Sequence, residues 1–169
     1  MVSQRVHELP AGLAAALREV HRRLDDAGLC WALTGSAGHR LQGVSVEVHD
    51  LDVQTDERGA WAADRMLAEL AITRLAPRES ERMWSLFGVY QLGLTRVEVI
   101  GAVKHRHCPD DPWHQALDLA SHDVVRVRWE DLNVPVVSLR YEVVAYRLLG
   151  RDDRAQLLAD HIAHPGDSP

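Results

Sequence analysis

The chain has 169 residues, 46% of them hydrophobic and 26% charged, and its 19 basic against 25 acidic side chains leave a formal net charge of -6. That composition describes one soluble domain over residues 1–169, with a core at about 10–163 that needs neither disulfides nor a structural metal. It excludes an integral membrane protein, since no apolar run approaches the ~20 residues of a span, and argues against a nucleic-acid coat, which needs a basic surface.

Residues 1–7 read as a loose start. From Pro10 to Ala27 the recurrence of Leu13, Leu17, Val20 and Leu24 at three- and four-residue steps predicts an amphipathic helix, stopped at Gly28. Cys30 to Thr34 is too short for a helix and suits a buried strand; Ser36 to Gln42 then makes about two turns, closed by Gly43. Asp50 to Asp56 opens with the polar–apolar alternation of a half-buried strand. Glu57 to Leu70 returns to helical periodicity, with Trp61, Met66, Leu67 and Leu70 as its buried stripe. Ile72–Leu75, Trp84–Leu92 and Thr95–Ile100 are strand candidates, with Gly88 and Gly93 marking a bulge or turn and a hairpin around Leu92-Gly93-Leu94. Val103 to Trp113 reads as an irregular connection. Val124–Trp129 and Val134–Val137 are further strands, Pro135 restricting the second to an edge or a strand start. Ser138 caps a helix over Leu139–Leu149, Gly150 ends it, and a last helix runs from Asp152 to about Ile162 before a disordered tail.

On the Asp50 strand, side chains two apart share a face, so Asp50 and Asp52 can grip one hard cation or bridge two, and Mg2+ fits that geometry. The Gly35-Ser36 turn offers backbone N–H groups and a hydroxyl of the kind that holds a phosphate. Arg96-Val97-Glu98-Val99 places Glu98 on a face with Arg96, and pairing beside the Asp50 strand would make Glu98 a third carboxylate. Three acids, a metal pair and a phosphate cradle describe two-metal nucleotidyl transfer.

Trp31-Ala32-Leu33-Thr34-Gly35-Ser36, followed by His49-Asp50-Leu51-Asp52-Val53, resembles the Gly-Ser and Asp-x-Asp signature of the DNA polymerase beta-like nucleotidyltransferase superfamily, with a spacing similar to that of aminoglycoside and lincosamide nucleotidyltransferases. Val134–Glu142 and Ala145–Arg151 are similar to the ending of small bacterial nucleotidyltransferase-domain proteins. The resemblance implies an α+β fold, a mixed β-sheet flanked by helices with a C-terminal helical pair. It also implies an NTP substrate, ATP first among them, with Mg2+, two ions in all, and transfer of a nucleoside monophosphate to a hydroxyl with release of pyrophosphate. Gly35 and Ser36 would then contact the triphosphate, Asp50 and Asp52 would bind Mg2+, and Glu98 would be the third carboxylate or the base that deprotonates the acceptor. The acceptor is a small molecule, an antibiotic among the options. With a short C-terminal region, the chain needs either a partner subunit, as in a homodimer, or a shallow acceptor site. The alternative is an antitoxin-like or non-catalytic nucleotide- or metal-binding protein that acts through a protein partner.

Other residues carry two readings each. Arg40, with His39 and Gln42, can reach a phosphate or base, or lie exposed on its helix; Lys104, the lone lysine, can neutralise the leaving pyrophosphate or sit on the surface. His49 is turned by strand alternation to the face opposite Asp50 and is no metal ligand. Arg78, Arg82 and Ser85 form a second rim or lie on the surface. His105, His107, Cys108 and His114 are zinc-capable types at a spacing that matches no standard motif. Trp31, Trp61 and Trp84 read as core; Trp113 and Trp129 are either core or stacking residues; Tyr141 and Tyr146 read as packing with a polar tip. Cys30 and Cys108 read as reduced thiols of a cytoplasmic protein.

Overall fold

The computed structural model describes residues 8–115, 117–121 and 123–165. The loose start and most of the expected disordered tail fall outside these. Helices α1 (Ala11–Asp26), α2 (Gly35–Leu41), α3 (Glu57–Met66), α4 (Leu139–Leu148) and α5 (Asp152–Ala163) accompany strands β1 (Trp31–Thr34), β2 (Asp50–Thr55), β3 (Ala71–Glu79), β4 (Met83–Leu92), β5 (Thr95–His105), β6 (Val124–Trp129) and β7 (Leu132–Val137). The strands form one mixed sheet in the order β3-β4-β5-β2-β1-β7-β6, with β2–β5 and β1–β7 parallel and the other pairs antiparallel. The fold is therefore α+β with a C-terminal helical pair, as the sequence implied. Among the described residues no helix is long and apolar enough to cross a membrane.

Alternation on two central strands divides the molecule. Leu51 and Val53 of β2 and Val97 and Val99 of β5 join Leu13, Leu17, Val20 and Leu24 of α1 and Ala60 and Ala63 of α3 in the main core. Asp50, Asp52 and Glu98 necessarily take the other face. Over that face stand α4 and α5, which pack with Val44 in a core of their own through Leu139, Val143, Tyr146, Ala155 and Leu158. Ser138 caps α4 by accepting from the Tyr141 N–H, and Asp56 caps α3 through the Gly59 N–H at 2.6 Å.

Several local expectations change. The expected α3 stops at Met66 and continues as a 3-10 turn over Ala68–Leu70, and it buries Ala60, Ala63 and Asp64 while Trp61 stays 38% exposed. Tertiary packing thus selected small residues for the close approach to the sheet and left the tryptophan outside. Strand β7 is not an edge: β6 and β1 flank it, with Pro135 opposite Arg126. The missing N–H is tolerated because β1 contributes a single registered pair to β7, Leu33 with Val136, rather than a long ladder. Gly93 does turn the β4–β5 hairpin, whereas Gly88 pairs regularly with Val99 and marks no bulge.

The irregularity lies further along. Leu86 pairs with Gly101 but Trp84 pairs with Lys104, so β5 carries one extra residue there, and Ala102 adopts a left-handed φ of 50°. Strand β5 consequently runs to His105 through residues that the sequence assigned to a loop.

Candidate active site

Thr34, Asp52 and Glu98 occupy one row across β1, β2 and β5, since Asp52 is the register partner of both Thr34 and Glu98. Asp50 lies two residues before Asp52 and borders the same cleft. Gly35, at the end of β1, has a φ of 64°, and a Cβ there would collide with the Asp52 carboxylate. Both facts demand glycine, which alone lets the turn press against the acid.

This proximity has an electrostatic consequence. Burial first, and then the charges of Asp50, Glu98 and Glu142, push the Asp52 carboxyl up to about 8. Glu98 is partly neutralised instead: its Oε1 accepts from Arg96 Nε at 2.8 Å. The donors are all carboxylate oxygens, the set that hard divalent cations take, and their excess negative charge is what such a cation relieves. Among the described residues, no three His, Cys, Asp or Glu side chains are drawn together as a closed metal-holding group. Glu98 would have to exchange Arg96 for the cation.

Two cavities meet at this row. The larger, about 870 Å3, is bordered by Ser36, Glu47, His49, Asp50, Asp153 and Arg154. The smaller, about 370 Å3, is bordered by Glu98, Arg78, Phe87, His105, Tyr141 and Glu142. Gly35, Asp52, Tyr146 and Arg151 border both.

Glu142 holds the turn in place, a role that the sequence did not assign to it. It is buried on α4, where its Oε1 accepts from the Gly35 N–H at 3.2 Å and from the Thr34 hydroxyl. His39 Nε2 stands 3.4 Å from the same oxygen, too poorly aligned for a hydrogen bond. Burial pushes the Glu142 carboxyl up, but the facing His39 and the Thr34 and Gly35 donors outweigh burial and hold it below its ordinary range. The signal was present: Leu139, Glu142, Val143 and Tyr146 follow helical spacing, so an acid occupies the buried stripe of α4.

Ser36, Asp50 and Asp52 thus border the larger cleft and Glu98 the smaller one, with Gly35 and Asp52 common to both. Arg40 is not brought there; its guanidinium donates to the Val46 carbonyl at 2.8 Å. Lys104 is also absent, because the extra residue at Ala102 reverses the alternation of β5 and lays its ammonium 5.2 Å from the Trp84 ring centre. The same shift turns Val103 and His105 into the smaller cavity. His39 is buried rather than exposed, and the Gln42 amide donates to the Val137 carbonyl at 2.9 Å. His49 borders the larger cleft instead of facing away, since it precedes the first residue of β2, and lies 3.5 Å from Glu47. Of the suggested rim, Arg78 lines the smaller cavity, whereas Ser85 is fully buried. His105 is buried in β5, and among the described residues it forms no metal-holding group with its neighbours. Burial also lowers its imidazole pKa. Trp129 is core; Trp113 carries the Arg106 guanidinium 4.0 Å from its ring centre. Tyr146 packs in the second core as read, and both it and Tyr141 also line the clefts; sequence reasoning did not single out Arg151 or Arg154.

The profile of the aminoglycoside-2''-adenylyltransferase family matches residues 16–162. The chain belongs to that family. A solved structure from Thermotoga maritima, assigned as a nucleotidyltransferase, is 33% identical at a TM-score of 0.80, covering 95% of this chain and 98% of that one. The structure of ANT(2'')-Ia in complex with adenylyl-2''-tobramycin is more distant, 13% identical at a TM-score of 0.48 over 90% of this chain and 98% of that one. No curated protein matches. This member of the family is a nucleotidyltransferase enzyme with the superfamily fold.

Proposed function

We propose that this nucleotidyltransferase moves a nucleoside monophosphate from an NTP, ATP first, to a hydroxyl of a small-molecule acceptor, in a Mg2+-dependent reaction. The observation that carries this reading is the row of carboxylates at Asp52, whose acid is pushed up to about 8 by burial and by its neighbours' charge. Asp50 and Asp52 would hold the metal, which when bound neutralises the negative charge of the phosphates.

The chain's own groups account for the remainder. The Ser36 hydroxyl orients the triphosphate in the larger cleft, and Glu142 keeps the Gly35 turn rigid by accepting from its N–H and from Thr34. Arg151, which borders both cavities, can meet the charge that develops on pyrophosphate. Glu98 takes the acceptor's proton once Arg96 releases it. The acceptor oxygen bonds to the α-phosphorus, the bridging P–O bond breaks, and pyrophosphate leaves with the electron pair.

Calorimetric titration with a non-hydrolysable ATP analogue tests the reading. Binding is expected only with Mg2+ and should weaken at least about 100-fold in Asp50→Asn. Binding that ignores both the metal and the substitution would sink the proposal.

A further inference from the structure

Resting on that reading, we infer that the smaller cavity receives the acceptor, and that the acceptor is a hydroxyl compound with an apolar, ring-sized body and no positive charge. The placement follows from which residues each cavity owns. Ser36 and Asp50 border only the larger cleft, Glu98 only the smaller, and Asp52 stands between. Phosphates held at Ser36 therefore lie on one side of Asp52, and the carboxylate able to take a proton lies on the other. An acceptor hydroxyl must reach Asp52 from the Glu98 side.

The walls of this cavity define what fits. Met83, Phe87, Ile100, Val103 and Leu149 supply an apolar surface, and 370 Å3 is near the lower end for small-molecule sites. The Arg78 guanidinium lies 4.7 Å from the Phe87 ring centre, and Arg151 borders both cavities. The carboxylates are all committed: Asp52 and Glu98 to the reaction, Glu142 to Thr34 and Gly35. A ligand bearing several ammonium groups would find the Arg78 guanidinium at the wall and no spare carboxylate, an arrangement that rejects polycations. The extra residue at Ala102 reinforces this, because it supplies Val103 and an imidazole to the wall. Burial lowers the pKa of that imidazole, on His105, and so disfavours its charged form.

The test uses the full chain saturated with Mg2+ and the ATP analogue, whose binding is established first. That complex is titrated with para-hydroxyphenylpropionate, a phenol carrying a carboxylate, and separately with tobramycin. The phenol is expected to bind with a millimolar or tighter Kd, weakened at least tenfold by Arg78→Glu, an exposed position on edge strand β3. Tobramycin is expected to give no binding. Tobramycin binding, no binding of the phenol, or phenol binding indifferent to Arg78→Glu would each overturn the inference. Failure of the ATP analogue itself would overturn the transfer reading, and is seen before either probe is added.

Discussion

Asp52, half-buried, and Asp64, buried, are two aspartates held against the same sheet, and their surroundings push them in opposite directions. Asp64 of α3 accepts from Arg74 at 2.9 and 2.5 Å, from the Leu75 N–H at 3.0 Å and from the Tyr90 hydroxyl at 2.7 Å. Arg74 above all, with those donors, holds its carboxyl well below the ordinary carboxylate range. Burial first, and then Asp50, Glu98 and Glu142, raise Asp52 to about 8 instead. Burial pushes both acids up; at Asp64 the partners outweigh it, and at Asp52 they add to it. A carboxylate whose partners are complete serves the fold, and one surrounded by like charge has been left for a ligand to complete.

The widest separation between the two should appear in catalysis. Asp52→Asn is expected to lower pyrophosphate release by about 1000-fold or more, since on the proposed mechanism it removes a group that acts in the transition state; activity within tenfold of the parent would break the comparison. Next in size is the structural cost at the other site. Asp64→Ala strands a buried tyrosine hydroxyl and a guanidinium, and should cost about 3 kcal/mol in urea unfolding. A cost below about 1 kcal/mol would remove Asp64 from the structural role.

The smallest effect is the most discriminating, because its sign differs between the sites. A carboxyl raised in the folded state contributes stability below its unfolded pKa and loses it as pH rises through the folded value. Metal-free protein should therefore lose the Asp52 contribution between about pH 4 and the folded value of about 8, and Asp52→Asn should flatten that decline. Asp64 is depressed, so its contribution holds above about pH 4 and disappears as the solution is acidified further. At pH 8, Mg2+ at 100 times its Kd should add about 2.7 kcal/mol to the parent and far less to Asp52→Asn. Thermal melts across pH, with and without the metal, read all of these.

Local period and turn chemistry made much of this site legible in the chain. Alternation around Asp50-Leu51-Asp52 and Arg96-Val97-Glu98 put the acids on one face, and the structure pairs those strands in register. What stayed hidden depends on contacts between distant positions. Thr34 and Glu142 are 108 residues apart, and no local period announces their bond. Trp61 looked like core because it is large and apolar, yet α3 comes so close to β5 that a Cβ on Gly101 would strike Ala60. Pro135 looked like an edge marker, but a short neighbour can flank a proline that a long one could not.

The extra residue in β5 also bears on how this protein can vary in length. From Val103 onward the strand is phased as though Ala102 were absent: Met83 faces His105 just as Phe87 faces Ile100 across the hairpin. Losing Ala102 would straighten the ladder and relieve its positive φ while keeping Val103 and His105 turned inward. Losing a residue far from this irregularity, with the irregularity kept, would exchange the inner row for the outer one and bring Lys104 inward. The stretch around Ala102 is thus where this strand can lose one residue without changing which side chains face the cavity.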